Sequence, residues 1–319
     1  MRIASLLPSA TEIVYCLGLG DALVAVTHEC DYPEDAKSKA QVTRNLLRSG
    51  LSSARIDQAV RASKRDVHTV YELDGDRLTA LAPDVVLTQS LCEVCAVPRE
   101  AVETAVCSMP QQAEVVSLDP HSLNDVLDTI LEVGEHLNAQ PQARRLVADL
   151  QQRIERVQLA IAPTAERPRV FCCEWLDPIF RAGHWVPEQV RLAGGEEGLG
   201  REYEPSRLVE WDEVLQYEPE VIVLMPCGFD ANETADRMGE LASRPKWDAL
   251  PAVENEQVFA ANGSAYFSRP GPRLVDGVEL LARIIHPEAW AKPAPEGGVR
   301  QLRGPELHPA DAGRPGRDC

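Results

Sequence analysis

The chain has 319 residues, 44% hydrophobic and 26% charged, the mix of a globular protein long enough to bury its core without disulfide or metal staples. At about 150 residues per domain it holds two domains or one large one. A formal net charge of −18 argues against nucleic acid or an anionic membrane surface as the main partner, and no apolar run reaches the roughly 18 residues of a membrane span.

The opening Met1-Arg2-Ile3-Ala4-Ser5-Leu6-Leu7-Pro8 lacks the basic, apolar and small-residue regions of a signal peptide. The expected location is cytoplasmic, or periplasmic if the true start lies upstream. Ile3–Leu7 reads as a first strand. A helix through Ile13–Leu19 follows, which Ser9 or Thr11 caps and Gly18 and Gly20 end. Leu23–Thr27 is the next strand, a short helix ends at Leu78–Leu81, and Asp84–Thr88 and Val115–Leu118 are buried strands. This alternation gives parallel βαβ units. Ser122 caps a helix with Leu123, Val126, Leu127, Ile130 and Val133 on one face. Pro141 opens a second, whose stripe Leu146, Leu150, Ile154, Val157 and Ile161 runs on to Pro163. A helix of about 20 residues spans about 30 Å, enough to bridge two lobes. The βα pattern then resumes, with strands at Arg169–Cys173, Val221–Met225 and Gln257–Ala260 and helices at Glu188–Leu192, Asp212–Leu215 and Arg273–Ile285. Five Pro and five Gly among residues 290–319 read as a disordered tail. The expected domains are an N-terminal α/β lobe (1–140), a connecting helix (141–162), a C-terminal α/β lobe (163–289) and the tail.

Open α/β sheets bind ligands beyond the carboxyl ends of their strands. The residues that follow the strands are Pro8, Ser9 and Thr11; His28, Glu29, Cys30, Asp31 and Tyr32; Cys92 and Cys95; Glu174, Trp175 and Trp185; Cys227 and Phe229; and Tyr266, Phe267 and Arg269. They point to a cleft between two lobes. Aromatics are only 5% of the chain, so Trp175, Trp185, Tyr266 and Phe267 either offer flat apolar faces to a ligand or fill the lobe cores. Arg269 binds a ligand amide, phosphate or carboxylate, or else pairs with a surface carboxylate. The nine cysteines would be reduced in a cytosol. Cys16, Cys107 and Cys172 read as small core hydrophobes, and Cys319 lies in the tail. If His28, Cys30, Cys92 and Cys95 converge, they make a Cys₃His donor set for zinc. Cys92-x-x-Cys95 alone fits half a metal site, a redox pair or a plain loop. There is no P-loop, GxSxG elbow or HExxH.

Several stretches resemble a known family: Ser9-Ala10-Thr11-Glu12, Asp31-Tyr32-Pro33, Leu78 to Leu87, Asp177-Pro178-Ile179-Phe180, Leu192-Ala193-Gly194-Gly195, and Ala265 to Arg273. They resemble the helical-backbone (class III) substrate-binding proteins of metal-chelate ABC transporters, in a cobalamin-binding branch that looks cytosolic. The resemblance covers residues 2–287 in order. It implies an α/β fold of two Rossmann-like lobes with parallel sheets, joined by a long backbone helix, with cobalamin or another corrinoid in the interlobe cleft and no covalent chemistry. It also implies a small-molecule chelate as partner, an ABC transporter if the protein is exported, no nucleic acid and no membrane insertion. Asp76 and Glu213 lie near the acidic residues that dock such proteins on their permease. The chain departs from the family in its cysteine content, its missing export signal and a segment at 44–70 that reads as an insertion. The alternative reading is a cytosolic enzyme or redox protein on the same scaffold, with zinc or iron held by cleft Cys and His.

Overall fold

The computed structural model describes residues 1–47, 50–65, 70–89, 97, 99–164 and 166–308. Cys92, Cys95 and Cys319 lie outside these residues. The chain divides into two compact units, Met1–Gln152 with Arg269–Pro272, and Arg153–Ser268 with Arg273–Cys319. No helix among the described residues is long and apolar enough to cross a membrane.

The first unit runs β1 (Ile3–Ser5), α1 (Pro8–Cys16), β2 (Leu23–Ala25), β3 (Thr43–Asn45), α2 (Ser53–Arg65), β4 (Tyr71–Leu73), α3 (Gly75–Ala80), β5 (Val85–Thr88), α4 (Arg99–Cys107), β6 (Glu114–Ser117) and α5 (Leu123–His136). The 22-residue α6 (Gln140–Ile161) carries the division between the units. The sheet order is β2-β1-β5-β6, with every neighbour parallel. β1 has β2 on one side and β5 on the other, so the order reverses there and a crevice opens beyond the carboxyl ends. The β-branched run of β5 is buried at all four positions, as a central parallel strand requires. The antiparallel pair β3–β4 flanks α2, so the apparent insertion is a ribbon with a helix between its strands.

Helix α1 corrects the expected cap. It starts at Pro8 from an extended Leu7, with no side-chain cap, and Ser9 and Thr11 sit inside its first turns. Proline at the first position suits a donor that has no partner there in any case. The end does follow the glycine signal. Gly18 at φ 76° donates to the Tyr15 carbonyl (2.9 Å) and Leu19 to that of Val14 (3.0 Å), a Schellman motif. Ser122 caps α5 in a reciprocal box with Asp125. Where α5 meets α6, a Cβ on Gly134 would lie 2.4 Å from the Cβ of Ala143. Gly134→Val is therefore expected to lower unfolding free energy by about 1–3 kcal/mol, despite valine's better helix propensity. Urea unfolding checks this.

The second unit runs β7 (Val170–Leu176), β8 (Ile179–Arg181), α7 (Val186–Leu192), β9 (Arg207–Leu208), α8 (Trp211–Tyr217), β10 (Val221–Leu224), α9 (Ala231–Asp236), α10 (Gly239–Ala242), α11 (Pro251–Glu254), β11 (Val258–Ala261), α12 (Gly263–Tyr266), α13 (Leu274–Ile285) and β12 (Val299–Leu302). Its sheet order is β12-β11-β10-β7-β8-β9. β7, β10 and β11 are parallel as expected, and antiparallel strands extend both edges. Phe171, Ile222, Leu224, Trp247 and Val258 belong to its core. Arg153, in the second half of α6, is bound by Asp276 and Glu279 of α13.

The expected disordered tail is corrected over residues 290–308. β12 pairs with β11 from Val258↔Leu302 to Ala261↔Val299. Leu302 and Leu307 are buried, and Trp247 Nε1 donates to the Leu307 carbonyl at 2.9 Å. Lys292 Nζ reaches Glu279 at 2.5 Å. Composition misleads here because a strand that covers an edge needs only alternate apolar residues, not a rich supply of them.

Glu197 turns its carboxyl inward against β7 and β8. Oε2 accepts from the Gly200 N–H, and Oε1 is buried without a partner. Burial pushes this carboxyl up to about 7, against the bonds from Gly200 and Cys172 and the charge of Arg181. The folded state therefore holds a proton that the unfolded state, titrating near about 4.3, releases earlier. Stability should fall as pH rises between these values and stay lower above them, by on the order of 3 kcal/mol in full. Glu197→Gln should flatten that part of the pH profile and raise stability at about pH 8, readable as melting temperature against pH.

Candidate functional site

In the first unit, the loops after β1 and β2 meet through buried polar groups. Thr11 Oγ1 donates to Ser5 Oγ at 2.8 Å and lies 3.1 Å from Cys30 Sγ, and Thr27 Oγ1 lies 3.1 Å from the same sulfur. Burial pushes the Cys30 thiol up, outweighing these bonds. Beside it, His28 Nδ1 lies 2.7 Å from Thr43 Oγ1, and its ring sits 5.0 Å from that of Tyr71. His28 Nε2 is 3.3 Å from Glu29 Oε1. His28 above all, helped by Arg269, holds the Glu29 carboxyl below the usual range although burial opposes this.

Arg269 belongs to this unit, on the short Arg269–Pro272 segment. It donates to Asp31 Oδ1 at 2.5 Å and to the Glu29 carbonyl at 3.0 Å, and is only 12% exposed. This segment lies against α1, where a Cβ built on Gly271 would be in ordinary contact with Ser9 at 3.4 Å. Of the candidates in this unit, Ser9, Thr11 and Cys30 are buried, Pro8, His28, Glu29 and Arg269 are half-buried, and Asp31 and Tyr32 are exposed. The Cys₃His set has Cys92 and Cys95 outside the described residues. Among those described, no group of three or more His, Cys, Asp or Glu stands close enough to hold a metal ion.

In the second unit, the carboxyl ends of β7 and β10 bring two aromatics together. Trp175 and Phe229 are both half-buried, with centroids 5.8 Å apart and planes tilted by 38°. Trp175 Nε1 is held by the Asp177 carbonyl at 3.1 Å. Phe229 is placed by a tight turn: its N–H reaches the Pro226 carbonyl at 3.3 Å, with Gly228 at φ 89° in the position that favours glycine. Asp230 then caps α9 in a box with Glu233. Arg237, just past that helix, lays its guanidinium 4.3 Å from the Phe229 centroid. Glu174 and Cys227, both half-buried, flank the pair in sequence. Arg237 escapes sequence reading because it lies eight positions beyond Phe229 with only ordinary residues between. The Asp230-x-x-Glu233 box was the available signal that Phe229 ends a loop.

Trp185, Tyr266 and Phe267 are placed differently. They are 4%, 8% and 2% exposed. Trp185 Nε1 donates to the Phe267 carbonyl at 2.7 Å, and the Gln189 amide donates to the carbonyls of Tyr266 (3.2 Å) and Leu274 (2.7 Å). They knit α7 to the turn between α12 and α13, so the core reading replaces the ligand-face reading for these three rings. Two of the supposed core cysteines are also corrected: Cys16 and Cys107 are exposed, each being the last residue of its helix, whereas Cys172 is buried.

A helix carried across two α/β units, each with candidate side chains at the carboxyl ends of its parallel strands, gives the fold of a two-lobed binding protein. The chain belongs to the periplasmic binding protein family, whose sequence profile matches residues 3–265. It is 29% identical over 289 residues to the vitamin B12-binding protein of Vibrio cholerae serotype O1, covering 89% of this chain and 88% of that one. It is 25% identical over 296 residues to the uncharacterized ABC transporter substrate-binding lipoprotein YvrC of Bacillus subtilis, covering 91% and 81%. The crystal structure of the periplasmic vitamin B12 binding protein BtuF of Vibrio cholerae superposes with a TM-score of 0.65 at 25% identity, covering 89% and 96%.

Proposed function

We propose that the protein binds cobalamin or a related corrinoid as cargo, without covalent chemistry, for transport, salvage or trafficking. The observation that carries this reading is the half-exposed Trp175–Phe229 pair, with Trp175 near the carboxyl end of β7 and Phe229 in the loop after β10, an apolar platform suited to the flat face of a macrocycle. Polar groups beyond the strands of the first unit, His28, Glu29, Asp31, Tyr32 and Arg269, are the donors and acceptors that orient a ligand, with Pro8, Glu174 and Cys227 as further contacts. The first two relatives reported carry vitamin B12 binding or ABC-transporter substrate binding in their names, which supports a chelate cargo and a transporter partner. Asp76 and Glu213, in the first turns of α3 and α8, are the acidic contacts such a partner would use.

We place the protein in a reducing compartment, the cytoplasm. Support comes from the nine cysteines, an odd number that cannot all pair within one chain. Cell fractionation tests this, and a periplasmic signal would overturn it. Elemental analysis of the purified protein tests the cargo reading against a metalloenzyme. The cargo reading predicts cobalt after exposure to cobalamin, retained in Cys92→Ser and Cys95→Ser. One equivalent of zinc or iron that those substitutions remove would contradict it.

A further inference from the structure

The second unit's aromatic platform carries its own cation. Arg237 lies over Phe229, and its side chain is 21% exposed. Its guanidinium carbon lies 4.3 Å from the Phe229 centroid, and its N–H donors form a fixed fork of the kind that matches carboxylates in bidentate fashion. Glu240 pairs with one end of that fork, its Oε1 3.5 Å from Nη1. The second arginine nearby, Arg244, is committed to Asp177 at 3.2 Å, beside Trp175. The chain as a whole carries −18, a field that repels anions. A local guanidinium at the platform edge therefore decides whether negative charge is accepted there.

We infer that Arg237 gives the platform a charge preference: among flat metal chelates it selects those whose peripheral arms are carboxylates over those whose arms are amides. The inference rests on the corrinoid reading above and adds the residue that sets specificity. Arg237 acts at the rim of the ligand, while Trp175 and Phe229 carry the ring.

Two corrin probes separate ring from arms. Dicyanocobyrinic acid has carboxylate arms and dicyanocobinamide has amide arms, on the same ring. Absorbance titration of wild-type protein should show about tenfold tighter binding of dicyanocobyrinic acid, the lower range for one charged hydrogen-bonding partner. Arg237→Met should abolish that preference, weakening dicyanocobyrinic acid about tenfold more than it weakens dicyanocobinamide. Arg237→Lys should keep part of the preference. Arg237→Gln, which supplies a neutral polar amide in place of the charge, should behave as Arg237→Met and guards against a misfolded variant, as do unchanged melting temperatures. Equal affinity for the two probes in wild type, or a preference that survives in both uncharged variants, would overturn the inference and leave the corrinoid reading intact. Wild-type protein that binds neither probe nor cobalamin would overturn both.

Discussion

Removal of residues 290–319 is expected to unfold the second unit, whereas removal of 309–319 leaves every contact described for this segment in place. β12 closes the edge of a six-stranded sheet by pairing along the whole of β11. Leu302 and Leu307 pack in the same buried cluster as Phe171, Trp247 and Val258. Losing two fully buried leucines removes about 3–6 kcal/mol of apolar burial. Trp247 Nε1, bonded only to the Leu307 carbonyl in a site 2% exposed, would add the desolvation cost of an unsatisfied donor, about 1–3 kcal/mol. Lys292 would also leave Glu279, which is 9% exposed and shares Arg153 with Asp276. The total rivals the roughly 5–15 kcal/mol that stabilises a typical domain. Circular dichroism and protease resistance of the two truncations decide it. A stable, protease-resistant 1–289 chain would show that the segment is dispensable.

Trp175→Leu and Phe229→Leu are each expected to weaken corrinoid binding by at least about tenfold, and together to abolish measurable binding, while the melting temperature barely moves. Both rings are half-buried, so truncating them costs the fold less than truncating Trp185 or Phe267 would. Gly228→Ala should weaken binding by the same route, because a Cβ at φ 89° strains the turn that delivers Phe229. Isothermal titration with cyanocobalamin, paired with thermal melts, separates the effects. Unchanged affinity in the double variant would move the site elsewhere in the protein.

The sequence pattern reveals the architecture well because parallel strands have to be apolar on both faces. Val85 to Thr88 and Val221 to Leu224 announce themselves, and Ser122 and Gly18 mark real helix ends. What the pattern hides is partnership across long sequence separation. Nothing near Leu302 indicates that it pairs with Val258, and nothing near Arg269 indicates that Asp31, 238 positions away, takes its guanidinium. The aromatics illustrate the same limit. The sequence pattern ends this strand at Cys173 and puts Trp175 and Trp185 alike beyond it, yet Trp175 lies within β7 and stays half-exposed, whereas Trp185 is drawn inward by the Phe267 carbonyl. Thr11 was readable as a cap, but a helix that begins on Pro8 puts its hydroxyl to use on Ser5 and Cys30.

We propose above that this chain is a receptor for a corrinoid. Titration of the purified full-length protein with cyanocobalamin, followed by visible absorbance and tryptophan emission, tests it most directly. Saturable binding at one equivalent is expected, with emission quenched in wild type and less so in Trp175→Leu. No saturable change in either signal with cyanocobalamin, under conditions where the protein is folded, would contradict it.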